Sequence, residues 1–326
     1  MRLPLVLVIG LTAVLATLAA AWAAEPPDEP TIVRYDQDSP YHHIRVVDYP
    51  QMGRRCMRFS KPGAIQASMI LAEPDKLDLR HAQSMMAALA LHPAPADVLL
   101  VGLGGACIPK FIQKHFPDIR QTIVEIDPDV VKVCQDWFGF KGAAGTRVIV
   151  MDGRMYLKRS AQMYDVILLD AYAADHIPFH LTTVEFLRLV KSRLKPGGVV
   201  AANLWEPGLA AAGHLGPAVS RFYWAELKTY QATFPQTYLC KARDSGKIIV
   251  FGTLGDRVVG RDEWVKRAQT IAGGKDFGFD LPALVWTEYE HLTPQEIREK
   301  PLTDDAAPVD TLRRENPKYF EDAAAK

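Results

Sequence analysis

The chain has 326 residues, 48% of them hydrophobic, with 38 Lys and Arg against 38 Asp and Glu. That is apolar material for one large domain and a smaller one, and the zero formal charge excludes a general affinity for nucleic acid or an acidic surface. The 4 cysteines form no Cys-x-x-Cys pair, which excludes a zinc finger or a dithiol redox motif, and Cys107 and Cys134 fall inside helical patterns as buried thiols do.

Taken in order, the chain opens on Arg2 and an uncharged, mostly apolar run from Leu3 to Ala21. Ala21-Trp22-Ala23 has the small-x-small form of a cleavage site, and a polar, proline-rich stretch follows from Glu25 to Pro30. Two readings stay open for residues 1–24: an export signal cut near Ala23, or an uncleaved anchor tethering the chain to a membrane through residues 3–24. Either places the body outside the cytoplasm, periplasmic or extracellular. Short β segments are expected at Thr31–Tyr35, Ile44–Val47, Cys56–Phe59 and Ser68–Leu71, separated by turn-rich stretches. They form a small N-terminal β domain over residues 31–75. Arg54, Arg55 and Arg58 read there as a solvated basic face. A single helix is expected over Leu77–Leu91.

From Asp97 the pattern alternates strand and helix. Strands are expected at Val98–Val101, Gln121–Glu125, Arg147–Met151, Asp165–Leu169 and Val199–Asn203. Between them lie helical patterns at Cys107–Phe116, Pro128–Phe138, Met155–Arg159 and Thr183–Leu194, the last stopped by Lys195-Pro196-Gly197-Gly198. Ala218–Phe234 reads as a further helix, and Gln236–Cys240 with Lys247–Phe251 as an antiparallel edge pair turning at Asp244-Ser245-Gly246. Alternation of this kind implies a parallel, doubly wound sheet over residues 76–255. In the C-terminal extension, 256–326, a helix is expected at Glu263–Ala272, an apolar stretch at Leu281–Leu284 and a polar tail from Arg313.

In such a sheet, ligands bind at the carboxyl ends of the strands. Gly102, Gly104 and Gly105 end the first strand, Glu125 the second; Asp152-Gly153 follows the third and Asp170 the fourth. Glycines let the backbone approach a ligand, and a strand-end acid can accept hydrogen bonds from a ribose diol. The same acids are also the residue types that cap the next helix. The third glycine of a dinucleotide fingerprint falls at Cys107, which argues against a pyrophosphate. A compact nucleoside such as S-adenosylmethionine suits the pattern, with Glu125 on the ribose, Asp152 on the adenine amino group and Gly102, Gly104, Gly105 and Gly153 beside it. Asp175, His176 and His180 suggest a metal cluster, but Pro178 interrupts any i,i+4 helical pairing, so no metal is expected. No Gly-x-Ser-x-Gly elbow marks a hydrolase.

Several stretches resemble the spermidine synthase (polyamine aminopropyltransferase) family and its bacterial spermidine synthase-like branch. They are Val101-Gly102-Leu103-Gly104-Gly105, Val124-Glu125-Ile126-Asp127-Pro128, Met151-Asp152-Gly153-Arg154 and Tyr164 through Asp170. Leu181 through Leu187, Leu194 through Gly198, the hairpin Ser39 through Ile44, Gln66, and Leu302 through Asp310 fit as well. The resemblance implies an α/β fold: a Rossmann-like doubly wound sheet of the S-adenosylmethionine-dependent methyltransferase type with a small N-terminal antiparallel β domain. It implies transfer of an aminopropyl group from decarboxylated S-adenosylmethionine to a small-molecule amine, with Asp170 as proton acceptor, Tyr172 orienting the amine, and a homodimer. The chain departs from the family pattern where an Asp of the glycine turn is replaced by Gly105, where a second acid of the fourth-strand motif is replaced by Ala173, and at His42. These departures keep a second reading open, a non-catalytic or repurposed exported protein that binds a nucleoside or polyamine.

Overall fold

A computed structural model describes residues 30–60, 64–92, 94–171, 177–205, 217–242, 247–292, 297 and 299–305. The segment 1–24, Tyr172, Ala173, Asp175, His176, the turn Asp244-Ser245-Gly246 and the polar tail lie outside them.

The first four strands, β1 (Ile32–Asp38), β2 (His43–Tyr49), β3 (Arg54–Arg58) and β4 (Ile65–Ile70), form an antiparallel sheet in that order. The link between β2 and β3 is tight because Gly53 takes a left-handed φ of 61°. The arginines of β3 are not a solvated face. Arg55 and Arg34 close on Asp48 at 2.5 and 2.7 Å, and their charges and hydrogen bonds hold the buried Asp48 carboxyl below its usual range despite desolvation. Arg54 forks onto Asp78 at 2.8 and 3.0 Å, and Arg58 is buried, 4% exposed. The carboxylates that pair with Arg34, Arg54 and Arg55 lie 7 to 24 residues away on other segments, so local composition conceals them.

A single apolar periodicity runs from Leu77 to Leu91, yet the chain makes two helices, α1 (Arg80–Met85) and α2 (Ala87–Leu91). At Met86 the hydrogen bonds tighten to i→i−3, from Met86 N to Gln83 O and from Leu89 N to Met86 O. Such a step changes helix direction without changing which residues are apolar.

The main sheet has the order β12-β10-β11-β9-β8-β5-β6-β7. Its parallel half comprises β5 (Asp97–Val101), β6 (Arg120–Glu125), β7 (Thr146–Val150), β8 (Tyr164–Leu169) and β9 (Leu194–Trp205). The intervening helices are α3 (Cys107–His115), α4 (Pro128–Trp137), α5 (Gly153–Arg159) and α6 (Val184–Lys191). All residues of β5 and β8 are buried, because helices cover both faces of these central strands. Val98 and Leu100 join the core on one face, and Leu99 and Val101 the core on the other.

Helix α6 stops three residues before the expected end, and Leu194–Gly198 belong to β9. Gly197 has φ 74°, and Lys195 reaches Asp97 at 2.5 Å and Asp165 at 2.9 Å. The presumed helix stop therefore fastens the amino ends of three strands. After α7 (Pro217–Thr233), β10 (Gln236–Ala242) and β11 (Lys247–Thr253) add antiparallel strands to β9. Helices α8 (Arg261–Ala272) and α9 (Leu281–Glu288) then pack on α1 and α2, and β12 (Tyr289–His291) closes the edge. Trp264, fully buried, donates to Ala87 O at 3.0 Å, and Glu288 accepts from Arg80 and Ser84 at 2.8 Å each. Among the described residues no helix is long and apolar enough to cross a membrane.

Candidate nucleoside site

Strand order reverses at β5: β6 and β7 build outward on one side, and β8 and β9 on the other. The crevice at the carboxyl ends of β5 and β8 is where such a sheet receives ligands. Register brings the named residues together there. Val101 pairs with Val124 of β6 and Leu169 of β8, so the next residues along, Glu125, Gly102 and Asp170, emerge side by side. Leu169 in turn pairs with Ala202, which sets Asp170 beside Asn203.

A cavity of about 190 Å³ opens at this point. Gly102, Gly104, Glu125, Asp152, Gly153 and Asp170 all line it, and Tyr41, His42, Phe59 and Gln66 of the N-terminal domain cover it. The close approach needs glycine. A Cβ at Gly102, whose φ is +95°, would stand 2.4 Å from the Asp170 carbonyl oxygen, and one at Gly153 would stand 2.4 Å from a Val101 methyl. Gly105 lines an adjoining cleft of about 30 Å³, with Ser68, Asp78 and Cys107, that shares Gly102, Gly104 and Asp170 with this cavity. A Cβ there would meet the Ala67 Cβ at 2.6 Å and the Phe138 ring at 3.1 Å. The glycine is thus a packing residue between β4 and the end of α4.

Glu125 is 7% exposed, and its carboxylate accepts from the Leu103 and Asp127 amides at 2.8 and 3.0 Å. Burial raises its pKa against the pull of these amides. Its neighbour Asp127 caps α4 through the Asp129 amide and accepts from Ser39 Oγ, which fastens the β1–β2 hairpin over the site. Asp152 serves two ends at once. One oxygen caps α5 through the Met155 amide at 2.8 Å, and the other meets His180 Nε2 at 2.9 Å. The capping and ligand-facing readings of this acid therefore coexist. Asp170 accepts from Asn203 Nδ2 at 3.0 Å, and burial raises its pKa.

Four lining residues escape a strand-end rule. His42 stacks on Phe59, ring centroids 4.1 Å apart and 6° from parallel. His81 of α1 is so buried that its pKa falls to about 3, which keeps it neutral. Asn203 of β9 is 2% exposed, and Lys247 opens β11. Burial lowers the Lys247 pKa to about 7, and the Asp170 charge opposes that fall. The signal for both was a polar residue at the end of an apolar run. For Lys247 the end is the amino one, because β11 runs antiparallel to β9.

The rim is held from the C-terminal segment. Arg154 donates to His180 O at 3.0 Å and pairs with Asp304, which also accepts from Thr183 Oγ1 at 2.7 Å. The Arg154 hydrogen bond holds the Asp304 pKa at about 2, below its ordinary 3.8. A depressed carboxylate contributes stability above its unfolded pKa and loses it as pH falls through the folded one. Asp304→Asn is expected to cost about 1 kcal/mol near neutral pH, after screening of this half-exposed pair. In urea melts the difference from the parent narrows as pH drops from 3.8 toward about 2. A gap that persists at the acid end would refute the ion-pair account.

A family model described as the spermine/spermidine synthase domain matches residues 80–211, from α1 through the parallel strands. Over these residues the chain is similar to the spermidine synthases. The polyamine aminopropyltransferase of Vibrio vulnificus is 29% identical over 322 residues, covering 94% of this chain and 98% of that protein. The fold is shared with a probable spermidine synthase from Corynebacterium glutamicum, at TM-score 0.61 and 18% identity over 85% of this chain and 97% of that one. Human methyltransferase-like protein 13, solved in complex with SAH, superposes at TM-score 0.52 with 26% identity, covering 67% of this chain and 96% of that one. The matched residues, 80–211, include the Gly turn and all three strand-end acids of the cavity. Among the described residues no group of three or more His, Cys, Asp or Glu could hold a metal.

Proposed function

We propose that the protein is a spermidine synthase-like transferase whose cavity binds an adenosyl sulfonium donor, S-adenosylmethionine or its decarboxylated form, and passes an alkyl group to a small amine. One observation carries this reading: Gly102, Glu125, Asp152 and Asp170 come from four consecutive strand ends and line a single cavity at the switch point of the sheet. Glu125 accepts from the ribose hydroxyls and Asp152 from the adenine amino group, while Gly102 and Gly104 lie along the arm on sulfur. In the reaction the amine lone pair attacks the carbon bonded to the sulfonium. The C–S bond breaks with its electrons going to sulfur, which leaves a neutral thioether. The proton shed by the new ammonium goes to Asp170, whose raised pKa suits it to accept one. The name of the Vibrio vulnificus relative supports the aminopropyl version of this transfer.

The expected result in calorimetry is heat with methylthioadenosine and with at least one of the two sulfonium donors. Silence with all three would remove the reading. The reading as a repurposed nucleoside-binding protein draws on Gly105, where the carboxylate expected to hold a propylammonium has no room. It predicts binding without turnover over a panel of amines. For the address, the proposal is export through residues 1–24, and an uncut chain recovered from the cytosol would refute it.

A further inference from the structure

The nucleoside reading leaves open which sulfonium donor the site takes, and the residues across the cavity from Glu125 bear on that choice. The sheet order sets the lining residues in a row: Asp152 after β7, Glu125 on β6, Gly102 after β5, Asp170 after β8, Asn203 on β9 and Lys247 on β11. Neighbouring strands lie about 4.8 Å apart, so Glu125 and Lys247 are separated by four steps, or about 19 Å. The nucleoside fills the Asp152–Glu125 half of the row. Whatever the sulfur carries points toward Asp170 and Lys247.

Charge at that end is balanced. Among the described residues the cavity is lined by three carboxylates, and two of them are engaged by the protein itself: Glu125 by two backbone amides, Asp152 by His180 and a helix cap. Asp170 is the acid left facing the arm, and it faces a lysine, with Asn203 donating to it from between. His81 adds no charge. Gly105, where an acid for a lone propylammonium is expected, has no space for a Cβ. A purely cationic arm therefore meets one carboxylate and a lysine whose lowered pKa a second positive charge would depress further, whereas a nearby carboxylate would hold that lysine protonated. An arm carrying both signs on one carbon satisfies both groups.

Resting on the nucleoside reading, we infer that the Lys247 end of the row recognises the carboxylate of an α-amino-acid arm, the methionine arm of intact S-adenosylmethionine. The decarboxylated donor lacks only that carboxylate. The two donors and two proteins, parent and Lys247→Met, thus form a thermodynamic cycle that isolates the contact.

Titration calorimetry on the full chain tests it, with S-adenosylmethionine, its decarboxylated form and methylthioadenosine as the probes. The parent is expected to bind the intact donor at least tenfold more tightly than the decarboxylated one. Lys247→Met is expected to erase that ratio, and Lys247→Arg to keep most of it. Methylthioadenosine, which has no charged arm, should bind all three proteins alike and so reports that the variants are folded. Equal or tighter binding of the decarboxylated donor by the parent overturns the inference, as does a ratio unchanged in Lys247→Met; either result, with methylthioadenosine bound, leaves the nucleoside reading standing. Failure of methylthioadenosine and both donors to bind the parent overturns the two together.

Discussion

Asp170→Asn is expected to lower turnover by two to four orders of magnitude while the affinity for methylthioadenosine changes less than about threefold. The substitution preserves shape. Asn203 Nδ2 donates to one Asp170 oxygen at 3.0 Å, and an amide oxygen can accept the same bond. The backbone amide of residue 170 still donates to Val101 O, so the spacing of β5 and β8 is kept. What disappears is a group able to take a proton. Because burial raises the Asp170 pKa, the parent should lose activity on the acid side at a pH above the ordinary carboxylate value, and the variant should lack that limb. Single-turnover rates across pH, with affinities by calorimetry, check both parts. Unchanged turnover would remove Asp170 from the chemistry. A large loss of nucleoside affinity would assign it to binding instead.

The second large effect concerns stability. Gly105→Asp restores the acid that the family pattern has in the glycine turn, and a simple expectation would have it improve the site. The structure predicts a loss of about 3 kcal/mol or more, read as a lower midpoint in urea and in heat. Its Cβ would stand 2.6 Å from that of Ala67 and 3.1 Å from the Phe138 ring, closer than packed side chains tolerate. Removing the obstructing methyl with Ala67→Gly in the same chain should recover part of the loss, because the clash is with that one atom and the ring. A Gly105→Asp protein as stable as the parent would show that β4 can move aside. The glycine would then be a choice of chemistry, not of space.

Periodicity and turn residues made the main architecture legible, because the parallel strands are buried on both faces and read as unbroken apolar runs. The strand-end rule also located Glu125, Asp152 and Asp170, since parallel register carries all three to one edge. What escaped has physical reasons. Met86 divides a helix by shifting hydrogen bonds, not by changing composition. Arg54 and Arg55 looked solvated because their partners, Asp78 and Asp48, are fixed by tertiary pairing. Lys247 sits at the opposite end of its strand from the one the rule inspects, and His42 and His81 arrive from the hairpin and from α1. Tyr172 falls outside the described residues, so its place beside Asp170 stands on resemblance alone.

Lys195 has a consequence for how the sheet can deform. Together with Arg120, Asp97 and Asp165 it forms a charged clasp across the amino ends of β5, β6, β8 and β9. The opposite edge has glycines and a cavity where the clasp has ions. The strands are therefore tied by ions along one margin and by backbone hydrogen bonds beside the cavity, among them Gly102 N to Val124 O and Asp170 N to Val101 O. A ligand seated at the cavity margin would add there the fastening that ions give the opposite one. In hydrogen exchange, amides near Gly102 and Asp170 should slow on ligand binding, while those near Asp97 and Asp165 stay as they were.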